Sequence, residues 1–126
     1  MGRMDGLLLV DKPKGWTSFD VVAKVRSLIK QETGQKSASR RTKVGHTGTL
    51  DPLATGLLVL TLGSYCKRAS EFSKLDKTYE VTMWLGKTST TGDDEGEKMP
   101  VSDRVPTHEE MEAALWKFKG EIEQIP

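Results

Sequence analysis

Residues 45–56, with the sequence GHTGTLDPLATG, constrain the fold of this chain more than any other segment. They contain three glycines and a single carboxylate, Asp51, and they run directly into the apolar stretch 57–60. Pro52 disfavours helical geometry at Asp51, and glycines tolerate backbone conformations that other residues resist. The pattern therefore predicts a tight loop that places Asp51 at the mouth of a buried strand. Taken alone, the segment is more simply interpreted as a plain Asp-Pro turn before a core strand.

The spacing of apolar residues before and after this loop predicts helices and strands in one α+β domain. Residues 6–10 are predicted to form a short buried strand, and residues 56–62 a central strand covered on both faces. Thr17, with Asp20 three residues later, resembles a capping box and is expected to open a helix with one apolar stripe. That helix is expected to end before Gly34.

The second half of the chain contains a further set of predicted elements. Residues 64–75 are expected to form a helix, and residues 77–85 alternate in polarity as a half-buried strand does. Residues 86–100 are polar and are predicted to be a loop. Thr107 and Glu110 form a second capping box. The helix that they open is expected to face the core through Met111, Leu115 and Phe118, with Gly120 in the C′ position.

Residues 122–125 are predicted to begin another strand, which then has little room to develop before Pro126. A sheet that lacks its later strands leaves unpaired edges. We therefore expect residues 1–126 to be one part of a larger domain or assembly. The predicted fold class is α+β, with a mixed, largely antiparallel sheet, flanking helices and an incomplete C-terminal end.

Charge is distributed unevenly, although the net charge of the 126 residues is only +1. Residues 33–50 contain no carboxylate. A basic segment beside the Asp51 loop could hold phosphates, although a solvated loop explains the same composition. The candidate phosphate contacts are Lys36, Arg40, Arg41 and Lys43.

Several other kinds of chemistry are disfavoured by the sequence. Cys66 is the only cysteine, which excludes an intrachain disulfide and favours a reducing cytoplasm. No apolar run approaches the roughly 20 residues that span a bilayer. Val81 stands where a phosphate-binding P-loop needs glycine, and residues 93–97 lack the ligand pattern of a calcium loop. Neither a zinc site nor a hydrolase triad is organised by the histidines.

Four ordered segments resemble the motifs of the TruB family, the tRNA pseudouridine-55 synthases. Residues 45–58 are similar to the family signature, and residues 11–18 (DKPKGWTS) resemble its lysine-proline motif. Residues 76–80 (DKTYE) are similar to its stacking-tyrosine strand. Residues 85–96, which include LGK and TTGD, resemble the following strand and loop. The resemblance implies the N-terminal part, of bacterial type, of a pseudouridine synthase catalytic domain.

The activity implied by this resemblance is isomerisation of a flipped-out uridine to pseudouridine in the T-arm loop of tRNA. Asp51 matches the catalytic aspartate, which acts either as a nucleophile at ribose C1′ or as a base that generates a glycal. The resemblance implies neither a metal nor an organic cofactor. A buried carboxylate that must stay ionised needs a cationic partner.

Five further residues match positions with assigned roles in the family. Tyr79 matches the residue that stacks on the target base, although it could equally be a core aromatic on the inward face of its strand. His46 matches a histidine that contacts the RNA, and Asp93 an acidic residue of the active-site network. For both, a structural role is the simpler alternative. Lys12 and Pro13 match a motif that supports the catalytic loop.

The resemblance also implies parts that this chain does not match. The arginine that pairs with the catalytic aspartate belongs to a later segment, and no arginine here can be assigned that role by motif. We therefore expect a monomer when complete, or association with a complementary C-terminal polypeptide, in the cytoplasm and without a membrane. A non-catalytic RNA-binding or chaperone module is the alternative function.

Overall fold

The computed structural model describes residues 4–34 and 41–125, and the chain divides into two compact units, Met1–Thr78 and Tyr79–Pro126. The first unit contains a three-stranded sheet with the order β1-β3-β2, in which both pairings are antiparallel. Its strands are β1 (Gly6–Lys12), β2 (Val44–His46) and β3 (Gly56–Leu62). The predicted α+β class with antiparallel pairing is confirmed.

Strand β3 lies at the centre of this sheet, as its apolar run predicts. In the register Lys12 pairs with Gly56, and His46 pairs with Leu60. The carboxyl end of β1 therefore lies beside the start of β3, and β2 runs toward the same end of the sheet, which we call the loop end. At the opposite edge, Leu62 pairs with both Gly6 and Val44. We call this edge the far end.

Helix α1 (Ser18–Thr33) covers one face of the sheet and closes the hydrophobic core. The Thr17–Asp20 capping box forms as predicted, and Gly34 ends the helix in a left-handed conformation with φ of 61°. The prediction that β3 is covered on both faces holds only in part, because Leu57 is 64% exposed. The core is formed by Val21, Val22, Val44, Leu58 and Leu60.

The predicted single helix over residues 64–75 is instead two short helices. A 3₁₀ helix (Gly63–Arg68) leads into α2 (Ala69–Ser73). The first begins after Leu62, which makes no side-chain hydrogen bond to cap it. The N–H groups of its first two residues are satisfied from outside the helix, because Gly63 donates to the carbonyl of Lys43 and Ser64 donates to the carboxylate of Asp5. Short 3₁₀ turns of this kind are common where an α-helix begins.

The second unit contains a hairpin of β4 (Lys87–Ser89) and β5 (Lys98–Pro100), followed by α3 (His108–Trp116). The loop predicted over residues 86–100 is therefore wrong at both of its ends. The backbone carbonyl of Gly86 accepts hydrogen bonds from the N–H groups of Val101 and Ser102, at 2.8 and 3.3 Å, and closes the base of the hairpin. Three-residue strands are too short to produce a recognisable polarity pattern.

The strands predicted over residues 77–85 and 122–125 are wrong, because both segments lack regular structure. Alternating polarity specifies two faces, but a strand also needs a neighbour for its N–H and C=O groups. No strand within residues 4–34 and 41–125 pairs with either segment.

Helix α3 begins as predicted, with the Thr107–Glu110 capping box in place. It ends at Trp116, so that Gly120 lies beyond its C-terminus and not in the C′ position. Its predicted core-facing role is wrong in this structure, because Leu115 is 64% exposed and Phe118, past the helix end, is 70% exposed. Within residues 4–34 and 41–125, no helix has the length and hydropathy required to cross a membrane.

Candidate active site

Asp51 lies at the loop end of the first unit, between β2 and β3, with an exposed side chain. Its carbonyl accepts a hydrogen bond from the N–H of Ala54 at 3.0 Å, which forms the predicted turn. Gly56, at the start of β3, has φ of 116° and so requires glycine. Gly45 and Gly48 have no such φ. The loop therefore delivers one carboxylate to the surface directly before the central strand.

Lys12 anchors the residue that follows Asp51. Its side chain is fully buried at 0% exposure, and its ammonium donates to the carbonyl of Pro52 at 3.3 Å. The same ammonium donates to the carbonyls of Pro13 at 2.9 Å and Trp16 at 2.7 Å. The N–H of Gly15 also donates to Pro52, at 2.7 Å. One buried cation thus ties the turn after β1 to the Asp51 loop.

Ser18 anchors the residue that precedes Asp51. Its hydroxyl donates to the carbonyl of Leu50 at 3.0 Å and accepts from the N–H of Leu50 at 2.8 Å. Ser18 is 2% exposed and is the first residue of α1. The backbone is therefore held on both sides of Asp51, while the carboxylate itself stays accessible. This arrangement limits the positions that the carboxylate can adopt.

We expect Ser18→Ala to destabilise the first unit by about 1–2 kcal/mol, because both polar backbone groups of Leu50 lose their buried partner. Ser27→Ala, at an exposed position of the same helix, is the matched control and is expected to change stability by less than about 0.5 kcal/mol. Denaturant unfolding measures both values, followed by the fluorescence of Trp16 in a background in which Trp84 and Trp116 are replaced by phenylalanine. Equal effects of the two substitutions would contradict the anchoring role of Ser18.

His46 ends β2 and faces the start of the same loop. The residue is half-buried, and its Nδ1 atom is buried without a hydrogen-bond partner among the residues that the structure describes. The next residue, Thr47, donates to the carbonyl of Val59 from its N–H at 3.0 Å and from its hydroxyl at 3.3 Å. A buried ring nitrogen without a hydrogen-bond partner is energetically unfavourable.

None of the ion pairs found among residues 4–34 and 41–125 includes Asp51. Three arginines are engaged elsewhere: Arg26 donates to the carbonyl of Val44, Arg68 pairs with Glu71, and Arg104 pairs with Glu110. That the arginine partner of Asp51 belongs to a later segment of the family stays a prediction.

Tyr79 and Asp93 belong to the second unit. Tyr79 lies in the irregular segment before the hairpin and is 63% exposed. Asp93 lies in the hairpin loop, where its carboxylate accepts hydrogen bonds from the Thr91 hydroxyl and from the N–H of Glu95. These hydrogen bonds, chiefly the one from Thr91, lower the pKa of Asp93 below its usual value. Asp93 is therefore an ionised residue held within its own loop.

Two of the four predicted basic residues lie in the described part of the chain. Arg41 and Lys43 are exposed and lead into β2, whereas Lys36 and Arg40 lie outside the described residues. Within the described ranges, no cluster of histidine, cysteine and acidic side chains could hold a metal ion.

Ser18 and Gly15 are the contacts to the Asp51 loop that the sequence analysis did not identify. Ser18 directly follows the capping threonine, and Leu50 lies 32 residues further along the chain. The local spacing of apolar residues does not indicate a hydrogen bond between two residues so far apart in the chain. The nearest available signal was the position of Ser18 within the DKPKGWTS segment.

Comparison with known proteins places the chain in a family. Residues 24–126 match the family described as TruB family pseudouridylate synthase (N terminal domain). The chain is 46% identical over 123 residues to tRNA pseudouridine synthase B of Cupriavidus metallidurans, which covers 96% of the chain and 35% of that protein. It is 44% identical over 124 residues to that of Ectopseudomonas mendocina, covering 98% of the chain and 37% of the relative.

A third relative, tRNA pseudouridine synthase B of Pseudomonas aeruginosa, is 42% identical over 123 residues, which are 98% of the chain and 37% of that protein. The chain thus spans about one third of the length of the relatives that it matches. The match includes the Asp51 loop, the strands on either side of it and the hairpin of the second unit. On this evidence the chain belongs to the TruB family of pseudouridylate synthases.

Proposed function

We propose that this chain provides the catalytic aspartate of a tRNA pseudouridine synthase that acts on a uridine of the T-arm loop. The observation that carries the proposal is the presentation of Asp51, whose carboxylate is exposed while the backbone on both sides is anchored by Lys12 and Ser18. A reaction on one glycosidic carbon needs a single acid held in a reproducible position. Family membership and the names of the relatives support the same assignment.

In the proposed reaction, the N1–C1′ bond of uridine breaks, the base turns, and a C5–C1′ bond forms. The hydrogen on C5 leaves as a proton and N1 gains one, so that substrate and product are isomers. Asp51 acts either as the nucleophile at C1′ or as the base that produces a glycal. The target nucleotide must leave the base stack, because the reacting atoms are inaccessible within it.

The other candidate residues have supporting roles in this proposal. Tyr79 would stack on the flipped base, and His46 would contact the RNA. Asp93 would belong to the active-site network. Lys12 and Pro13 would support the catalytic loop. The RNA backbone would contact Arg41 and Lys43, and also Lys36 and Arg40.

The remaining parts of the proposal concern the whole protein. The cation that neutralises Asp51 would come from the C-terminal part of the enzyme, in the same chain or in a complementary polypeptide. We propose that the complete enzyme is monomeric, acts in the cytoplasm and uses no metal or organic cofactor.

The proposal is tested with a T-arm stem-loop RNA that carries tritium on C5 of its uridines. Two samples are compared: the chain alone, and a chimera in which it replaces the matching part of the Pseudomonas aeruginosa relative. We expect the chimera to release tritium from this RNA and to lose that activity when the loop uridine is replaced by cytidine. An anticodon-arm stem-loop is the control RNA. Equal release from both stem-loops would contradict the proposed T-arm specificity.

The absence of any ion pair to Asp51 in the described part of the chain is also compatible with a non-catalytic RNA-binding module. That alternative predicts an unchanged function after Asp51→Asn and a loss of function after charge reversal at Arg41. The catalytic proposal predicts a much larger effect at Asp51. The two substitutions therefore separate the two functions.

A further inference from the structure

A basic groove lies in the first unit, at the far end of the sheet. Its volume is about 1,090 Å³, and it is lined by the second half of α1, the residues that lead into β2, and the start of the 3₁₀ helix. None of the residues that line it is acidic. The cationic residues that line it are Arg26, Lys30, Arg41, Lys43 and Lys67.

The fold brings these cations together from separate segments of the chain. Arg26 and Lys30 are four residues apart on α1 and so lie on the same face of the helix. The guanidinium of Arg26 donates to the carbonyl of Val44 at 2.9 Å, which ties the helix to β2. The N–H of Gly63 donates to the carbonyl of Lys43 at 2.8 Å. The three segments of the groove are therefore joined by direct hydrogen bonds.

Five cations in one concave surface repel one another unless an anion neutralises them. Asp5 accepts a hydrogen bond from the N–H of Ser64, which lines the groove, but Asp5 itself does not line it. Arg26 keeps further N–H donors besides the one given to Val44, because a guanidinium carries five. A run of phosphates along a nucleic-acid backbone matches an extended set of cations better than one isolated phosphate does.

The groove and the Asp51 loop lie at opposite ends of β3. This strand has seven residues, which at about 3.4 Å per residue separate the two ends by roughly 20 Å. A base at Asp51 and a phosphate in the groove would therefore belong to nucleotides several positions apart. A folded RNA with a stem beside its target loop satisfies this spacing.

We propose that the basic groove binds the phosphodiester backbone of the same RNA whose uridine reacts at Asp51. This inference rests on the proposed function and adds a second contact region, roughly 20 Å from the first along β3. It assigns RNA-binding roles to Arg26, Lys30 and Lys67, which no motif of the sequence indicates. Specificity then depends on the RNA stem as well as on the target loop.

The groove is tested by the salt dependence of binding, measured by fluorescence anisotropy with a labelled T-arm stem-loop RNA. The test variant is Lys30→Gln with Lys67→Gln, and the control is Lys24→Gln with Lys74→Gln. Both control lysines are exposed and lie outside the groove lining, and both double variants remove two positive charges. Circular dichroism verifies that each variant is folded.

The logarithm of the RNA association constant decreases with the logarithm of salt concentration. We expect the magnitude of this negative slope to decrease by about two for the groove variant and to change little for the control. Three results would overturn the inference: equal slopes for the two variants, no RNA binding by the unmodified chain, or displacement of RNA by inorganic tripolyphosphate at an equal phosphate concentration. The last result would identify a site for small anions. Tritium release and its dependence on Asp51 test the proposed function separately, because that measurement does not depend on the groove slopes.

Discussion

Asp51→Asn in the chimera is expected to reduce tritium release from the T-arm RNA by at least about 10³-fold. Asparagine has nearly the same shape as aspartate, but it cannot act as a carboxylate nucleophile or base. The side chain is exposed and makes no ion pair in the described part of the chain, so that its replacement leaves the anchored loop intact. RNA affinity is expected to remain within about twofold, because binding relies mainly on phosphate contacts.

Asp103→Asn is the matched control for this substitution. Asp103 is exposed and lies between the hairpin and α3, outside the proposed site. The Asp103→Asn substitution removes one negative charge, as Asp51→Asn does, and we expect it to leave both tritium release and RNA affinity unchanged. A fall in release that is equal for the two variants would be an effect of net charge and would contradict a catalytic role for Asp51.

Lys12→Met is expected to destabilise the first unit by about 3 kcal/mol, the largest stability effect that the structure predicts. The ammonium of Lys12 is fully buried and donates three hydrogen bonds to backbone carbonyls. Methionine fills a similar volume but donates none. The carbonyls of Pro13 and Trp16 then lose this donor, whereas Pro52 keeps the N–H of Gly15.

Replacing a buried charge by an apolar side chain is sometimes neutral, because the charge no longer has to be desolvated. Here we expect Lys12→Met to be destabilising, because the carbonyls that lose the ammonium are left unsatisfied and methionine has no hydrogen-bond donor. Lys14→Met is the control, because Lys14 is exposed two residues away. We expect its effect to stay below about 0.5 kcal/mol.

Amide hydrogen exchange measures the local effect of Lys12→Met. The N–H of Gly15 donates to the carbonyl of Pro52, and the N–H of Leu50 donates to the hydroxyl of Ser18. We expect the exchange of both amides to accelerate. The amide of Leu60, in the centre of β3, is a reference for global unfolding. Unchanged protection at Gly15 and Leu50 would show that Lys12 does not hold the Asp51 loop.

The elements that the sequence predicts well are those specified by local interactions. Helix α1 begins after Thr17 and ends at Gly34 because a capping box and a left-handed glycine act over three or four residues. The central position of β3 follows from its unbroken apolar run. Strand β2 and its register with β3, by contrast, were not predicted, because a three-residue strand has no recognisable polarity pattern.

The elements that the sequence predicts poorly depend on distant partners. Residues 77–85 alternate as a strand does, yet no strand pairs with them in the described part of the chain, and Trp84 is 73% exposed. The apolar face of α3 likewise has the right spacing but lies exposed. Local spacing specifies which side chains share a face, whereas burial depends on what packs against that face.

The candidate site shows the same division. Asp51 could be predicted because proline and glycine around one carboxylate are a local pattern, and Lys12 because its motif resembles a family motif. The double hydrogen bond between Ser18 and Leu50 spans 32 residues and has no local signature. The basic groove at the far end of the sheet joins three segments and could not be identified before the fold was known.

The central claim, that this chain carries the aspartate of a tRNA pseudouridine synthase, is tested most directly by single-turnover tritium release from the C5-labelled T-arm RNA. The enzyme is the chimera of this chain with the Pseudomonas aeruginosa relative. The account predicts release of one tritium per RNA, because the C5 hydrogen of only the loop uridine is lost. A folded chimera that binds the RNA and releases no tritium would contradict it.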